Sequence, residues 1–146
     1  MIWIIIIVAI VAFFLYNGYK GAKDIKNVEK YGGILNKYNI LIEFIMTNKK
    51  LKLNQINSNN IEIGYNFIGN GYVKFKLIEI SGILQIKYES KDLVDGVQRL
   101  IWKFSENEDQ VKMAETISKD MFMHNLILQG TSKEEALKMY SEFINQ

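Results

Sequence analysis

Hydrophobic and polar positions follow different rhythms along this chain. The first sixteen residues, MIWIIIIVAIVAFFLY, show no alternation, since none carries a charged or strongly polar side chain. Ala22, Ile25 and Val28 then recur three apart in a charged stretch, a narrow helical stripe that Gly32-Gly33 breaks. Leu35, Tyr38, Leu41, Ile42 and Ile45 resume helical spacing, with Asn48-Lys49-Lys50 as a helix end. The β-branched density of 39–46 leaves a strand as the alternative there.

The middle of the chain alternates with period two. Residues 61–68 and 72–80 flank Gly69-Asn70-Gly71, and a three-residue loop there pairs Phe67 with Val73, Tyr65 with Phe75 and Ile63 with Leu77. Ser81-Gly82 reads as a two-residue turn that pairs Leu77 with Ile86 and Phe75 with Tyr88. Both turns leave the same face apolar, which predicts an antiparallel meander of three strands. A fourth strand near 51–55 would add Leu51 and Leu53 to that face. The opposite face collects Glu62, Asn66, Lys74, Lys76, Gln85 and Lys87, with Ile68, Tyr72 and Ile78 among them.

Residues 92–104 read two ways. A tight Asp95-Gly96 hairpin sets Leu100 and Trp102 opposite Lys91 and Glu89, so the faces clash. As a helix, Leu93, Val94, Val97, Leu100, Ile101 and Phe104 form one stripe, and this reading is preferred to a strand paired elsewhere. Ser105 and Glu108 have the spacing of a capping box. A helix is expected from there to about Leu128, burying Val111, Ala114, Ile117, Met121 and Leu128 and ending at Gly130. Thr131 or Ser132 would cap a last helix with Ala136, Leu137, Tyr140 and Ile144 inward. The expected class is α+β: an N-terminal membrane-anchor helix, then a small domain with a three- or four-stranded antiparallel meander packed against C-terminal helices. The expected organisation is an anchor over residues 1–19, a stalk over 20–33 and one soluble domain over 34–146.

The apolar opening predicts a bilayer anchor near the short end of the usual ~17–25 residues. Trp3 on one side and Tyr16 and Tyr19 on the other fall where interfacial aromatics belong. A cleaved signal peptide would show basic residues before the apolar run and small residues after it, and a buried core helix is seldom apolar all round. Lys20, Lys23, Lys26 and Lys30 follow the run, which by the positive-inside rule places the folded domain in the cytoplasm. The apolar run, Tyr16-Asn17-Gly18 and the mixed-charge stretch together resemble the opening of LemA-type membrane proteins over residues 1–30. The strand-rich middle departs from that all-helical family, and nothing of its function is carried over.

Composition narrows the chemistry. The 146 residues hold no Cys, no Pro, one His and, beside 17 Lys, a single Arg. Disulfides, thiolate metal sites, iron–sulfur clusters and thiol nucleophiles are excluded, and one His removes two-His metal sites. One Arg and a net charge of +2 argue against nucleic acid as a partner. Charge is uneven: residues 17–91 carry twelve Lys against six acids, and residues 92–146 carry six bases against ten acids. His124 has no identifiable partner and reads as a surface or packing residue. Glu106, Glu108 and Asp109 read as helix-start acids, and Asp92 and Asp95 lack a third ligand. Trp102, Tyr65, Tyr72 and Tyr88 are candidate groove liners. No catalytic, cofactor-binding or metal-binding constellation emerges.

The expected function is therefore a membrane-anchored, non-enzymatic protein, held in the lipid bilayer through residues 1–19, whose domain binds a partner protein. The candidate partner surface is Ile68, Tyr72, Lys74, Lys76 and Ile78. A pilin-like or other extracytoplasmic structural subunit is the alternative, and an enzyme or small-molecule sensor with a hidden pocket is the third reading.

Overall fold

The computed structural model describes residues 32–145. The expected anchor (residues 1–19) and most of the expected stalk (20–33) lie outside these residues. Among the described residues, no helix is long and apolar enough to cross a membrane.

Gly32 and Gly33 both take positive φ, at 80° and 86°, which turns the chain into two short helices. These are α1 (Ile34–Lys37) and α2 (Asn39–Ile45). The break at Tyr38 is held by one side chain. Gln110 Nε2 donates to the Lys37 carbonyl at 2.9 Å, and its Oε1 accepts from the Leu41 amide at 3.1 Å. Tyr38, Leu41, Ile42 and Ile45 of the expected stripe are buried, while Ile34 rather than the half-buried Leu35 begins it.

Five strands follow: β1 (Lys52–Asn57), β2 (Asn60–Phe67), β3 (Gly71–Ile80), β4 (Ile83–Lys91) and β5 (Val97–Ser105). They form one antiparallel sheet in the order β1-β2-β3-β4-β5, so every strand pairs with its neighbours in sequence. The Ser81-Gly82 turn gives the expected register, with Leu77 opposite Ile86 and Phe75 opposite Tyr88. The β2–β3 loop is Ile68-Gly69-Asn70 rather than Gly69-Asn70-Gly71. It pairs Phe67 with Gly71, Tyr65 with Val73, Ile63 with Phe75 and Ile61 with Leu77. This is a slip of two residues from the expected pairing. An even slip keeps each side chain on its own face, which is why the apolar face survived the error. Asn70 and Gly69 both sit at positive φ, and Gly71 lies so close to the Phe67 ring that a Cβ there would overlap it.

The expected helix over 92–104 is a strand instead. The turn is longer than Asp95-Gly96: it runs over 92–96, with Asp92 Oδ1 accepting from the amides of Val94 at 2.9 Å and Asp95 at 2.6 Å. Lys91 then pairs with Val97, which sets Leu100 opposite Tyr88, Trp102 opposite Ile86 and Phe104 opposite Leu84. The clash of faces was a property of the two-residue loop alone. Leu93 and Val94, counted in the helical stripe, project from the turn into solvent.

Helix α3 (Gln110–Leu128) crosses the inner face, and α4 (Lys133–Ile144) packs on α3. The expected cap at Ser105 is not used. Ser105 still pairs with Ile83 in the sheet, so the helix waits for Asp109, whose side chain accepts from the Val111 and Lys112 amides at 3.0 Å. Ala114 and Ile117 are buried as expected, joined by Met113 and Met123; Met121 is half-buried against the core, and Val111 and Leu128 are exposed. Ser132 caps α4, as expected, with its Oγ accepting from the Glu135 amide. Ala136 is buried, but Leu137 and Ile144 are exposed, because α4 meets α3 mainly through Tyr140 and Phe143 against Phe122. The architecture is thus α+β, with helices on one face of a five-stranded antiparallel meander.

Candidate functional site

No described element covers the outer face of the sheet. That face carries Tyr72, Lys74, Lys76 and Ile78 of the expected partner surface side by side along β3. Ile68 is elsewhere: it sits at the tip of the β2–β3 loop, 99% exposed. Tyr72 and Lys74 are committed to neighbours. The Tyr72 hydroxyl donates to Glu89 Oε1 at 2.5 Å, Arg99 Nε donates to Glu89 Oε2 at 2.6 Å, and Lys74 pairs with Glu62 at 3.5 Å. The Tyr72 hydroxyl and the Arg99 guanidinium hold the Glu89 carboxyl below its ordinary pKa, and the same hydrogen bond raises that of Tyr72.

The other half of that face is different. Lys76 lies directly opposite Lys87, which lies opposite Ile101. Ile78 lies opposite Gln85, which lies opposite Lys103, and Ile80 faces Ile83. No ion pair forms at Lys76, Lys87 or Lys103 among the described residues. Ile80, Ile83 and Ile101 are exposed.

The inner face holds a charge that the sequence reading missed. Glu79 shares the parity of Phe75 and Leu77, and it is only 2% exposed. That parity was the available signal for an inward-facing acid, but its partner lies 42 residues away in α1. Lys37 Nζ donates to Glu79 Oε1 at 2.6 Å and to Glu106 Oε2 at 2.7 Å. The second oxygen of Glu79 and the hydroxyl of Tyr38 are buried beside them, and among the described residues neither makes a hydrogen bond of ordinary geometry, although the phenol is close enough to feel the Glu79 carboxylate. Burial alone would lower the Lys37 pKa; the two carboxylates outweigh it and hold it above its ordinary value. Burial first, then the Glu79 charge, raises the Tyr38 phenol.

Both groups therefore keep their protons to higher pH in the folded chain than in the unfolded one. Their contribution to stability is full below about pH 10 and is lost as pH rises through the raised folded values. The melting temperature is expected to hold to about pH 9.5 and fall above pH 10, and to fall less steeply in Tyr38→Phe. A thermal melt series in which parent and variant decline in parallel would remove Tyr38 from this account.

An apolar cavity of about 510 Å³ opens between α2, α3 and the inner face, at the end away from Glu79. Phe44, Ile45, Leu51, Phe75, Ile117 and Met121 line it, and Tyr65 and Tyr88 complete the wall. Two of the four aromatics expected to line a groove are therefore there. Tyr72 is on the outer face, and Trp102 is buried, its Nε1 donating to Asp120 at 2.8 Å. The space is partly open to solvent, and its walls are mainly apolar.

His124, Asp92 and Asp95 all line one hollow of about 190 Å³, together with Ser90 and Gln98. Asp92 is spent on its own turn, and His124 Nε2 is buried without a hydrogen-bond partner among the described residues. Glu106 serves Lys37 and Asp109 caps α3, so two of the three acids at 106–109 have structural partners. Among the described residues, no group of three His, Asp or Glu is placed to hold a metal ion.

No protein-family model, curated protein or solved structure matches this chain at a level that indicates relationship.

Proposed function

We propose that this protein is a non-enzymatic binding protein, held at a bilayer by residues 1–19 with its domain on the cytoplasmic side, and that the open sheet face engages a partner protein. The single observation carrying this reading is the Lys76–Lys87 pair. Like charges directly opposite one another destabilise a sheet. Here they persist without an ion pair among the described residues, Glu62 across from Lys76 on β2 being paired with Lys74, and they lie beside Ile78, Ile80, Ile83 and Ile101 on a face that no described element covers. A partner surface with apolar side chains ringed by carboxylates would bury the isoleucines and neutralise the lysines. The centre of the surface is then Lys76 and Ile78 of the expected set, extended across β4 and β5. Tyr72 and Lys74 form its occupied margin, and Ile68 lies apart.

The test is photo-cross-linking of the full chain in its own membranes, with a benzoylphenylalanine at Ile101. A discrete adduct is expected. Its yield should fall about fivefold in Lys76→Gln/Lys87→Gln, the scale of a lost exposed charge contact, while the melting temperature holds or rises because the like-charge pair is gone. No discrete adduct, or one indifferent to both charges, would refute the proposal.

A further inference from the structure

A lysine stands beside one wall of the apolar cavity. Tyr65 forms part of the wall, and Lys50 Nζ stands 6.0 Å above its ring. Lys49 is adjacent and exposed, and neither lysine forms an ion pair among the described residues. Asn48 and Thr47 supply the rest of the polar rim. Thr47 already donates to the Glu43 carbonyl, and Asn48 Oδ1 accepts from the Lys50 amide, which fixes the loop that carries the lysines. The interior offers no polar anchor: its walls are Phe44, Ile45, Phe75, Ile117 and Met121, with Val73 at the side. Water would find few hydrogen-bond partners there.

These features together specify an amphiphile with one apolar chain and one anionic head. The volume, about 510 Å³, lies in the lower half of the ~300–1,000 Å³ of small-molecule sites, too small for two long chains. We propose that the cavity binds a single long-chain carboxylic acid, its chain between α2, α3 and the sheet and its carboxylate at Lys50 and the Tyr65 hydroxyl. Met121, a flexible thioether on the wall, adapts to chains of different length. This site faces away from the open sheet surface, so it stands or falls independently of the partner-binding reading.

The experiment uses the full chain in phosphatidylcholine nanodiscs with a palmitic acid analogue that carries a diazirine near the chain end. Mass spectrometry is expected to find the label in peptides covering 44–51 and 117–121. Met121→Trp fills the cavity and should cut that labelling at least ~tenfold, as a blocked pocket does. Lys50→Glu, on the surface, should cut it about fivefold for the acid and leave the methyl ester unchanged. If Met121→Trp fails to fold, Leu51→Trp blocks the same space from the loop. Label confined to residues 1–19, or labelling unchanged in a blocked variant that melts like the parent, overturns the site. Equal Lys50→Glu effects on acid and ester overturn the carboxylate assignment, and stronger labelling by a diazirine phosphatidylglycerol overturns the single-chain assignment.

Discussion

Replacing Lys37 by alanine is expected to cost about 3–5 kcal/mol, because Glu79 would remain charged, buried and without its counterion. The three groups of this cluster are not equivalent. Glu106 is more than a third exposed, so Glu106→Gln should cost no more than ~1 kcal/mol. Glu79→Leu removes the buried charge and leaves Lys37 its second carboxylate, so it should cost less than Lys37→Ala. The double variant Lys37→Met/Glu79→Leu replaces the buried pair by apolar groups of similar size. It should lie within a few kcal/mol of the parent, on either side. Urea denaturation of the four variants orders them. If Lys37→Ala were no worse than Glu106→Gln, the pair would not be desolvated as the structure has it.

The second large effect belongs to Trp102. Its indole fills the inner face between Ile86 and α3, and its Nε1 ties β5 to Asp120. Trp102→Ala is expected to cost about 3–5 kcal/mol through the lost packing and the cavity left behind. Trp102→Phe keeps most of the packing and loses the hydrogen bond, about 1–2 kcal/mol. Both are read from the same denaturation curves, followed by far-ultraviolet circular dichroism because the main fluorophore is removed. A cost below ~1 kcal/mol for the alanine variant would contradict the β4–β5 register itself.

That register shows where sequence reasoning reached and where it stopped. Alternation over 61–88 was legible because two turns agreed on one apolar face, and the Ser81-Gly82 turn fixed its pairing residue by residue. The β2–β3 loop was placed one residue late, yet the error was invisible in the face pattern, since alternation repeats every two residues. β5 was misread because a helical stripe and a strand both accept Leu100 and Phe104. The deciding fact was the length of the turn before them, set by Asp92 binding two amides of its own loop. The N-terminus of α3 moved from Ser105 to Asp109 because the sheet held Ser105 first. In the candidate sites, alternation gave the outward direction of Lys76 and Ile78. It also aimed Glu79 inward, but Lys37 as its partner depends on the packing of α1 on the far end of the sheet. The cavity was not legible at all, since it is bounded by residues from α2, three strands and α3 whose spacing in the chain says nothing of the gap between them.

The strictly sequential strand order has a consequence in time. Each strand pairs with the one made just before it, so the sheet is complete in sequence at Ser105, before any of α3 has been synthesised. Such local topology favours rapid formation. The helices α1 and α2 precede the sheet and can cover one end of its inner face as it forms. The remainder, around Ile86, Trp102 and Phe104, waits for residues 110–128. At ~5–20 residues per second, a ribosome needs about 1–5 s to travel from Ser105 to Leu128. For that interval the nascent domain presents a finished, half-covered sheet, and this is the stage at which it is most open to aggregation and to chaperones.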